Sequence, residues 1–467
     1  MYPTEPTHTE ELISHIQNQS PKTPDIIKEL IDNHDTSAME NGVRYYFNDT
    51  DIVGRKIYTY ENGAKVVDND ATNEKLPASW HKRLVDQKVG YLVGKPVTLA
   101  SDKENDPALE RIQEIIGDEF DDTMPELVKH ASNKGREFLH PYIDDEGQFD
   151  YMIVPAQECI PIYTKTKKRD LEAVIRYYDV GDIKKIELWD SEQVTYYEEI
   201  DGKVHYDAGV EQNPQSHFYY GNKGYGWGKV PFVDFRNNEE CISDLKFYKR
   251  LIDAYELIIS NTANTIVDVQ SLIYVLKGYE GQDLDEFMTN LKKYKAISVS
   301  DEPGSGVDTL QADIPVNAVD SHADRLEQLI YDAGQGVNFS ADKLGNNPSG
   351  VSLKFLYTAL DLKASVLERK FSKSLREFTW FICEYLSIAE NVKADYQDYT
   401  WTFNKSIITN EAEIIKNLGL SQSMLSDETI LTNHPYVDDV QAELDKRKAQ
   451  QDEYMQNMPG VEVNEPE

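Results

Sequence analysis

Apolar positions along this chain follow two rhythms, and the change between them divides it. From residue 245 the apolar residues Leu245, Tyr248, Ile252, Tyr255 and Ile259 recur at steps of three and four, the spacing of one helix face. Asn237, Asn238 or Ser243 can cap that helix, and Asp244, Lys249, Arg250 and Glu256 fall on its other face. A second helix is predicted over roughly 316–336, with Ala323, Leu326, Ile330 and Ala333 on one side. The longest stripe starts at Ser349 or Ser352. It runs through Val351, Phe355, Leu356, Ala359, Leu360, Val366, Leu367, Phe371, Leu375, Phe378 and Ile382, about nine turns. Between the first two helices lies a compact βαβ-like insert: strands at Leu272–Leu276, 296–299 and 307–310, with a helix over 284–294. Between the second and third lies Phe339-Ser-Ala-Asp-Lys-Leu-Gly-Asn-Asn-Pro-Ser-Gly350, which Gly345, Pro348 and Gly350 keep from being helical throughout. About a dozen residues is long for an ordinary interhelix turn.

The first half of the chain changes rhythm. Thr23 is placed to cap a helix that opens on Pro24 and carries Ile26, Ile27, Leu30 and Ile31. Leu84, Val85, Val89 and Leu92 give helical spacing again, ended by Gly94 and Pro96. Helices are predicted over 107–116 and 124–136. Five runs rich in β-branched and aromatic residues follow at 151–154, 159–163, 171–178, 184–189 and 193–197, separated by turn signals, so an antiparallel meander is expected. The Gly-rich run 221–228 lacks the Gly-Lys-Ser/Thr ending of a phosphate loop and reads as a surface hairpin. Near the end, 398–404 alternates like a strand returning to this body. Short helices are expected at 410–420 and 421–425 and a charged one at 440–454, before an acidic tail.

Composition adds bounds. With 467 residues, 40 % of them apolar or aromatic, the chain can bury a large core, ordinarily as two or three domains. The 29 tyrosines suggest amphipathic packing surface of the kind found between subunits. There is no apolar run of about 18 residues, so no membrane span is predicted, and the N-terminus lacks a signal-peptide layout. Cys159, Cys241 and Cys383 are scattered and read as small buried thiols in a reducing compartment. Lys and Arg total 48 against 83 Asp and Glu, a net charge of −35. That opposes a DNA-wrapping role, which needs a basic footprint. It leaves open a merely soluble acidic surface and a conduit wall that repels phosphate. The ten histidines form no metal-binding pair, and no Walker, Gly-x-Ser-x-Gly or Cys–His signature occurs. The acidic clusters at Asp68, Asp70 and Glu74 and at 118–122 lack a complete calcium-loop pattern. No cofactor, metal or catalytic residue is expected.

Two helices flanking a small α/β insert, then a polar loop entering a long helix, resemble the portal proteins of tailed bacteriophages, in the version found in siphophages of Gram-positive hosts. The run Leu84-Val-Asp-Gln-Lys-Val-Gly-Tyr-Leu-Val-Gly-Lys-Pro96 is very similar to one such proteins carry ahead of their α/β body. The resemblance covers most of the chain, strongest over 73–98 and 230–370. It implies an α+β portal-protein fold: an N-terminal arm and helix (1–40), a wing (41–240), a first stem helix (241–268), a clip (269–314) and a second stem helix (315–338). A tunnel loop (339–350), a long wing helix with its return strand (351–408) and a crown with acidic tail (409–467) complete it. It also implies that Leu245, Tyr248, Ile252, Tyr255 and Ile259 pack the stem, and that Lys343, Asn346, Asn347, Pro348, Ser349 and Gly350 face DNA. Copies would form a ring of about twelve in the virion, or about thirteen when isolated. The ring would assemble in the host cytoplasm and sit at one capsid vertex. Its implied partners are double-stranded DNA, the terminase large subunit, scaffolding and major capsid proteins, and a head–tail adaptor; no membrane is involved. An acidic, metal-dependent DNA-processing enzyme is the alternative.

Overall fold

In the computed structural model the described residues are 23–103, 105–164, 170–220, 223–269, 273–277, 306–310, 316–339, 350–406, 411–437 and 440–456. The chain opens with α1 (Pro24–Asp32) and α2 (Ser37–Tyr46), then a small hairpin, β1 (Tyr58–Glu61) with β2 (Ala64–Val67). Next come α3 (Trp80–Val93), β3 (Thr98–Ser101), α4 (Pro107–Ile116) and α5 (Phe120–Lys134). Two of these boundaries differ from expectation. Helix α5 begins four residues earlier than Met124, with Pro125 inside it. Beyond Gly135 the chain turns at once into β4 (Arg136–Ile143), a strand the helical pattern had hidden.

The predicted meander is present for four of its five expected runs; the run 151–154 pairs with β4 in a separate sheet instead. Strands β6 (Cys159–Tyr163), β7 (Leu171–Val180), β8 (Ile183–Trp189), β9 (Gln193–Ile200) and β10 (Lys203–Tyr206) pair antiparallel in chain order, with β11 (Gln215–Ser216) on β9. Alternation along β7 explains why both faces are covered. Ala173 and Ile175 face Ile26, Ile27 and Leu30 of α1, whereas Val174 faces Trp189, Val194 and Phe232 on the opposite side. The Gly-rich run forms the hairpin β12 (Phe218–Tyr220) and β13 (Lys223–Tyr225).

A second sheet places β4 between β5 (Phe149–Val154) and β14 (Val233–Arg236), both antiparallel to it. Across it runs the long helix α8 (Gly350–Tyr385), whose Phe371, Leu375, Phe378 and Ile382 belong to the largest core cluster with Leu127, Leu139, Val233 and Phe235. The Ser374 hydroxyl donates to the carbonyl of Asp234 at 2.6 Å, fixing helix against strand. The return strand β17 (Tyr399–Thr402) pairs antiparallel with β3.

Two more long helices leave this body. They are α6 (Leu245–Val269) and α7 (Val316–Gly334); between them in sequence, β15 (Ile273–Lys277) and β16 (Gly306–Leu310) pair antiparallel. The expected helix over 284–294 and strand at 296–299 lie outside the described residues. At the C-terminus α9 (Glu411–Ser421) is followed by α10 (Asp427–Thr432) and α11 (Val440–Gln456). The helix expected at 421–425 is a turn; α10 forms instead because Ser426 accepts from the Thr429 amide as its cap.

Candidate functional site: the junction of the three long helices

Helices α6, α7 and α8 meet at α3, and the run 84–92 is the surface on which they meet. Leu84, Gln87, Lys88 and Tyr91 each make a separate contact there. Leu84 lies beneath the C-terminal end of α7 so closely that a Cβ on Gly334 would sit 2.5 Å from one of its methyls, and a Cβ on Gly336 2.3 Å from the other. Those two glycines are the condition for the approach. One turn on, Gln87 treats Val337 as a strand partner: its Nε2 donates to the Val337 carbonyl at 2.7 Å and its Oε1 accepts from the Val337 amide at 3.0 Å. Val337 is thereby pinned just before the segment that joins α7 to α8.

Lys88 reaches the start of α6. Its ammonium donates to Asp244 at 2.9 Å and to Asn237 at 2.6 Å, with 1 % of the Lys88 side chain exposed. From α8, Lys363 donates to the same Asp244 carboxylate at 2.9 Å and to the Gly334 carbonyl at 3.0 Å. One carboxylate therefore joins α3, α6 and α8, while α7 is tied in through its last carbonyl. Burial works to raise the Asp244 pKa, but Lys363 and Lys88 beside it outweigh that and hold the carboxyl well below its usual range. Burial pushes Lys88 down to about 8 despite Asp244. Tyr91 donates to Asp361 at 2.8 Å and stacks on Tyr357 of α8 with ring centroids 5.7 Å apart. His81, pushed down to about 4 by burial, lies 2.7 Å from the Tyr248 hydroxyl.

The stripe residues of α6 do not share one environment. Leu245, Tyr248 and Ile252 are buried together with Tyr45, Trp80, Leu84, Ile330 and Tyr331. Tyr255 is half-buried with its ring edge-on to Trp80 at 5.5 Å, and Ile259 is half-buried too. The row that continues inward is instead Glu256, Ser260 and Asn264, which are 0, 0 and 8 % exposed. Glu256 and Asp244 were expected on the solvent side, and both are buried. The reason is an extended strap, residues 72–79, that lies along this face. Glu256 accepts from the Ala78 amide at 2.9 Å, Ser260 from Leu76 at 3.0 Å and Asn264 from Glu74 at 2.6 Å. Four helical residues rise about 6 Å and two extended residues about 6.6 Å, so every second strap amide meets every fourth side chain. The free Glu256 oxygen accepts from the Thr50 hydroxyl at 2.5 Å.

On α7, Leu326 and Ile330 are buried as predicted, but Ala333 is exposed and Tyr331 takes its place in the core. On α8 the inward stripe is Tyr357, Leu360, Ala364, Leu367 and Phe371; Phe355, Ala359 and Val366 face outward. Gly350 is the first residue of α8, and Phe339 is exposed, its ring edge-on to Tyr357 with centroids 6.0 Å apart. Lys343, Asn346, Asn347, Pro348 and Ser349 lie outside the described residues. Cys159 and Cys383 are buried as expected, whereas Cys241 is half-buried with its sulfur on Arg136.

Among the described residues no group of three or more His, Cys, Asp or Glu side chains is arranged to hold a metal, and no helix is long and apolar enough to cross a membrane. The acidic clusters have structural work. Asp68 accepts from the amides of Asp70 and Ala71, and Asp121 and Asp122 sit in the first turn of α5, where the helix dipole favours them.

The sequence profile of the family described as "Phage portal protein, SPP1 Gp6-like" matches residues 27–457. The chain belongs to the phage portal proteins. It is 41 % identical over 470 aligned positions to the portal protein of Bacillus phage SPP1, covering 97 % of this chain and 92 % of that one. It is 33 % identical over 421 positions to the portal protein of Clostridium phage phiCD119, covering 85 % of this chain and 89 % of the relative. A portal protein is a structural part of the capsid and not an enzyme, and the comparisons give no support to the DNA-processing alternative. Several residues that build this portal protein's junction escaped sequence reasoning: Gln87, Lys363 and the row Glu256–Ser260–Asn264. The signal for the row was available. It extends Leu245, Tyr248 and Ile252 onward from Ile252 in steps of four, with polar groups in place of apolar ones.

Proposed function

We propose that copies of this chain close into a ring of about twelve at one capsid vertex, through which double-stranded DNA is packaged, held and released. In this reading the ring nucleates procapsid assembly with scaffolding and major capsid proteins. It docks the terminase large subunit first and the head–tail adaptor later. Helices α6 and α7 are the stem, packed through Leu245, Tyr248, Ile252, Tyr255 and Ile259. Residues 269–314 are the clip, 41–240 the wing and 409–467 the crown. The tunnel loop, 339–350, presents Lys343, Asn346, Asn347, Pro348, Ser349 and Gly350 to DNA. Short polar groups there can touch a duplex without reading base edges, as a sequence-independent conduit requires.

The observation that carries the reading is the junction. Helix α6 is about 37 Å long at 1.5 Å per residue; it is fixed at its foot through Asp244 and bonded along its length to the strap as far as Asn264, and the segment between α6 and α7 follows its far end. The segment between α7 and α8 starts instead beside Gln87 and Lys363, which hold the Val337 and Gly334 carbonyls. The chain's charge of −35 also suits a wall along which phosphates slide.

Light scattering after size-exclusion chromatography tests the assembly, with a particle of about twelve or thirteen subunits expected. Replacing Gly345-Asn-Asn-Pro348 with bulky residues is expected to leave the ring intact and to impair DNA packaging or retention. Normal packaging by that variant overturns the tunnel-loop assignment.

A further inference from the structure

We propose that the cavity at the foot of α6 is a socket for an aspartate or glutamate side chain of the neighbouring copy in the ring. The inference rests on the ring reading and adds the chemistry of one of its contacts. The cavity, about 230 Å³, lies between α3, the first turns of α6, the end of α7 and the middle of α8. Its floor holds Lys88 and Lys363, and among the described residues lining it Asp244 is the one carboxylate. Two ammonium groups thus share one carboxylate. Their remaining partners, the Asn237 side-chain oxygen and the Gly334 carbonyl, are neutral. The N-terminus of the 25-residue helix α6 adds a partial positive charge on the same side. Lys88 is almost wholly buried while Lys363 is partly exposed at the open cavity; a positive excess there becomes costly once water is excluded unless it is matched, and this chain, with 83 acidic residues against 48 basic ones, has carboxylates in surplus elsewhere.

The rim says what brings the carboxylate in. Phe247 on α6 is 59 % exposed and Val366 on α8 is 48 % exposed, and both line the mouth. From Val366 an outward apolar stripe continues along α8 through Leu362, Ala359 and Phe355 at steps of four, three and four, with Leu362 62 % and Phe355 76 % exposed. That spacing is the seam of a helix packed against another helix. It is separate from the inward stripe of Tyr357, Leu360, Ala364 and Leu367, which the chain's own body covers. A copy seated on the seam would close the mouth from water, and a carboxylate inside would meet ammonium groups already positioned. Water exclusion is what gives such a pair its strength.

Charge at the rim separates this chemistry from a purely apolar contact. Val366→Glu places the chain's own carboxylate three residues from Lys363 on the same helix, where it competes for the ammonium and repels the incoming one. Val366→Lys removes the same methyls without competing. Mass photometry over a dilution series is expected to show Val366→Glu weakening subunit association at least about ten-fold more than Val366→Lys. Lys363→Gln is expected to weaken the ring and to reduce its salt dependence. Circular dichroism should give unchanged protomer unfolding for both rim variants, since Val366 is half exposed. Equal weakening by Glu and Lys overturns the carboxylate and leaves an apolar seam. Rings as stable as the parent's in both variants overturn the socket, meaning that the chain's own 340–349 segment or another protein covers it. A parent that stays monomeric overturns the ring reading and this occupant together, an outcome distinct from both.

Discussion

The two halves of α6 put the same row of a helix to different uses. At its foot the row is Leu245, Tyr248 and Ile252, enclosed by Trp80, Ile330 and Tyr331. Further along it is Glu256, Ser260 and Asn264, equally buried but facing backbone amides of the strap. Apolar burial is non-directional and is lost only when the whole cluster opens. A hydrogen bond to a strap amide can be exchanged for one to water, at a net cost of about 1 kcal/mol. The foot is therefore a weld and the upper part a seam that can open one bond at a time. A helix built this way can stay fixed at the junction while its far end shifts.

The largest effect that would break the contrast is at the weld's polar centre. Asp244→Ala leaves Lys88 and Lys363 together without a counter-charge, and chemical denaturation at neutral pH should show a loss of about 3–5 kcal/mol. The loss should fade in acid. The folded Asp244 carboxyl is held below its ordinary value, so its contribution is present above the unfolded carboxylate pKa and disappears as pH falls through the folded one. An unchanged midpoint at neutral pH would mean that the lysines find other partners.

Next comes a matched pair on the row itself. Ile252→Ala should cost about 2–4 kcal/mol, through lost burial and a residual cavity. Ser260→Ala should cost about 1 kcal/mol. Equal costs would erase the distinction between the halves. Hydrogen exchange sharpens it without mutation: amides of 74–78 are expected to exchange about ten-fold faster, or more, than those of 248–253, because the strap can open locally. The smallest effect belongs to Glu256→Gln. Burial raises the Glu256 pKa, so between the unfolded and folded values the native state holds the extra proton and stability falls as pH rises through that window. The Gln variant should lack that slope in a pH series of unfolding midpoints, and a slope that persists would assign it to another group.

Much of the architecture was legible in the chain. The meander strands were readable because alternation and turn residues agree; Cys159–Tyr163 has the bounds expected of it. The three long helices were readable from their length. Which side of each helix faces inward was less so. Helix α8 carries two apolar stripes, and periodicity merged them, so Phe355, Ala359 and Val366 were expected in the core where Tyr357 and Ala364 are found. Ala333 was displaced by Tyr331 for a similar reason: a small apolar residue fits either side of a helix, and the bulkier ring packs edge-on against Trp80. The strap was invisible, since an extended segment with no strand partner has no period of its own.

Sequence alone determined the family, the order of the three long helices and of most meander strands, and the acidic charge of the chain, because each depends on local residue pattern or on a simple sum. Tertiary structure decided where charge is buried. Lys88, Asp244 and Lys363 stand far apart in the chain and look like ordinary surface residues there. Their meeting, and the strap's choice of Glu256, Ser260 and Asn264, follow from which backbones come close enough to exclude water. That proximity is a property of the packed helices and of no single stretch of sequence.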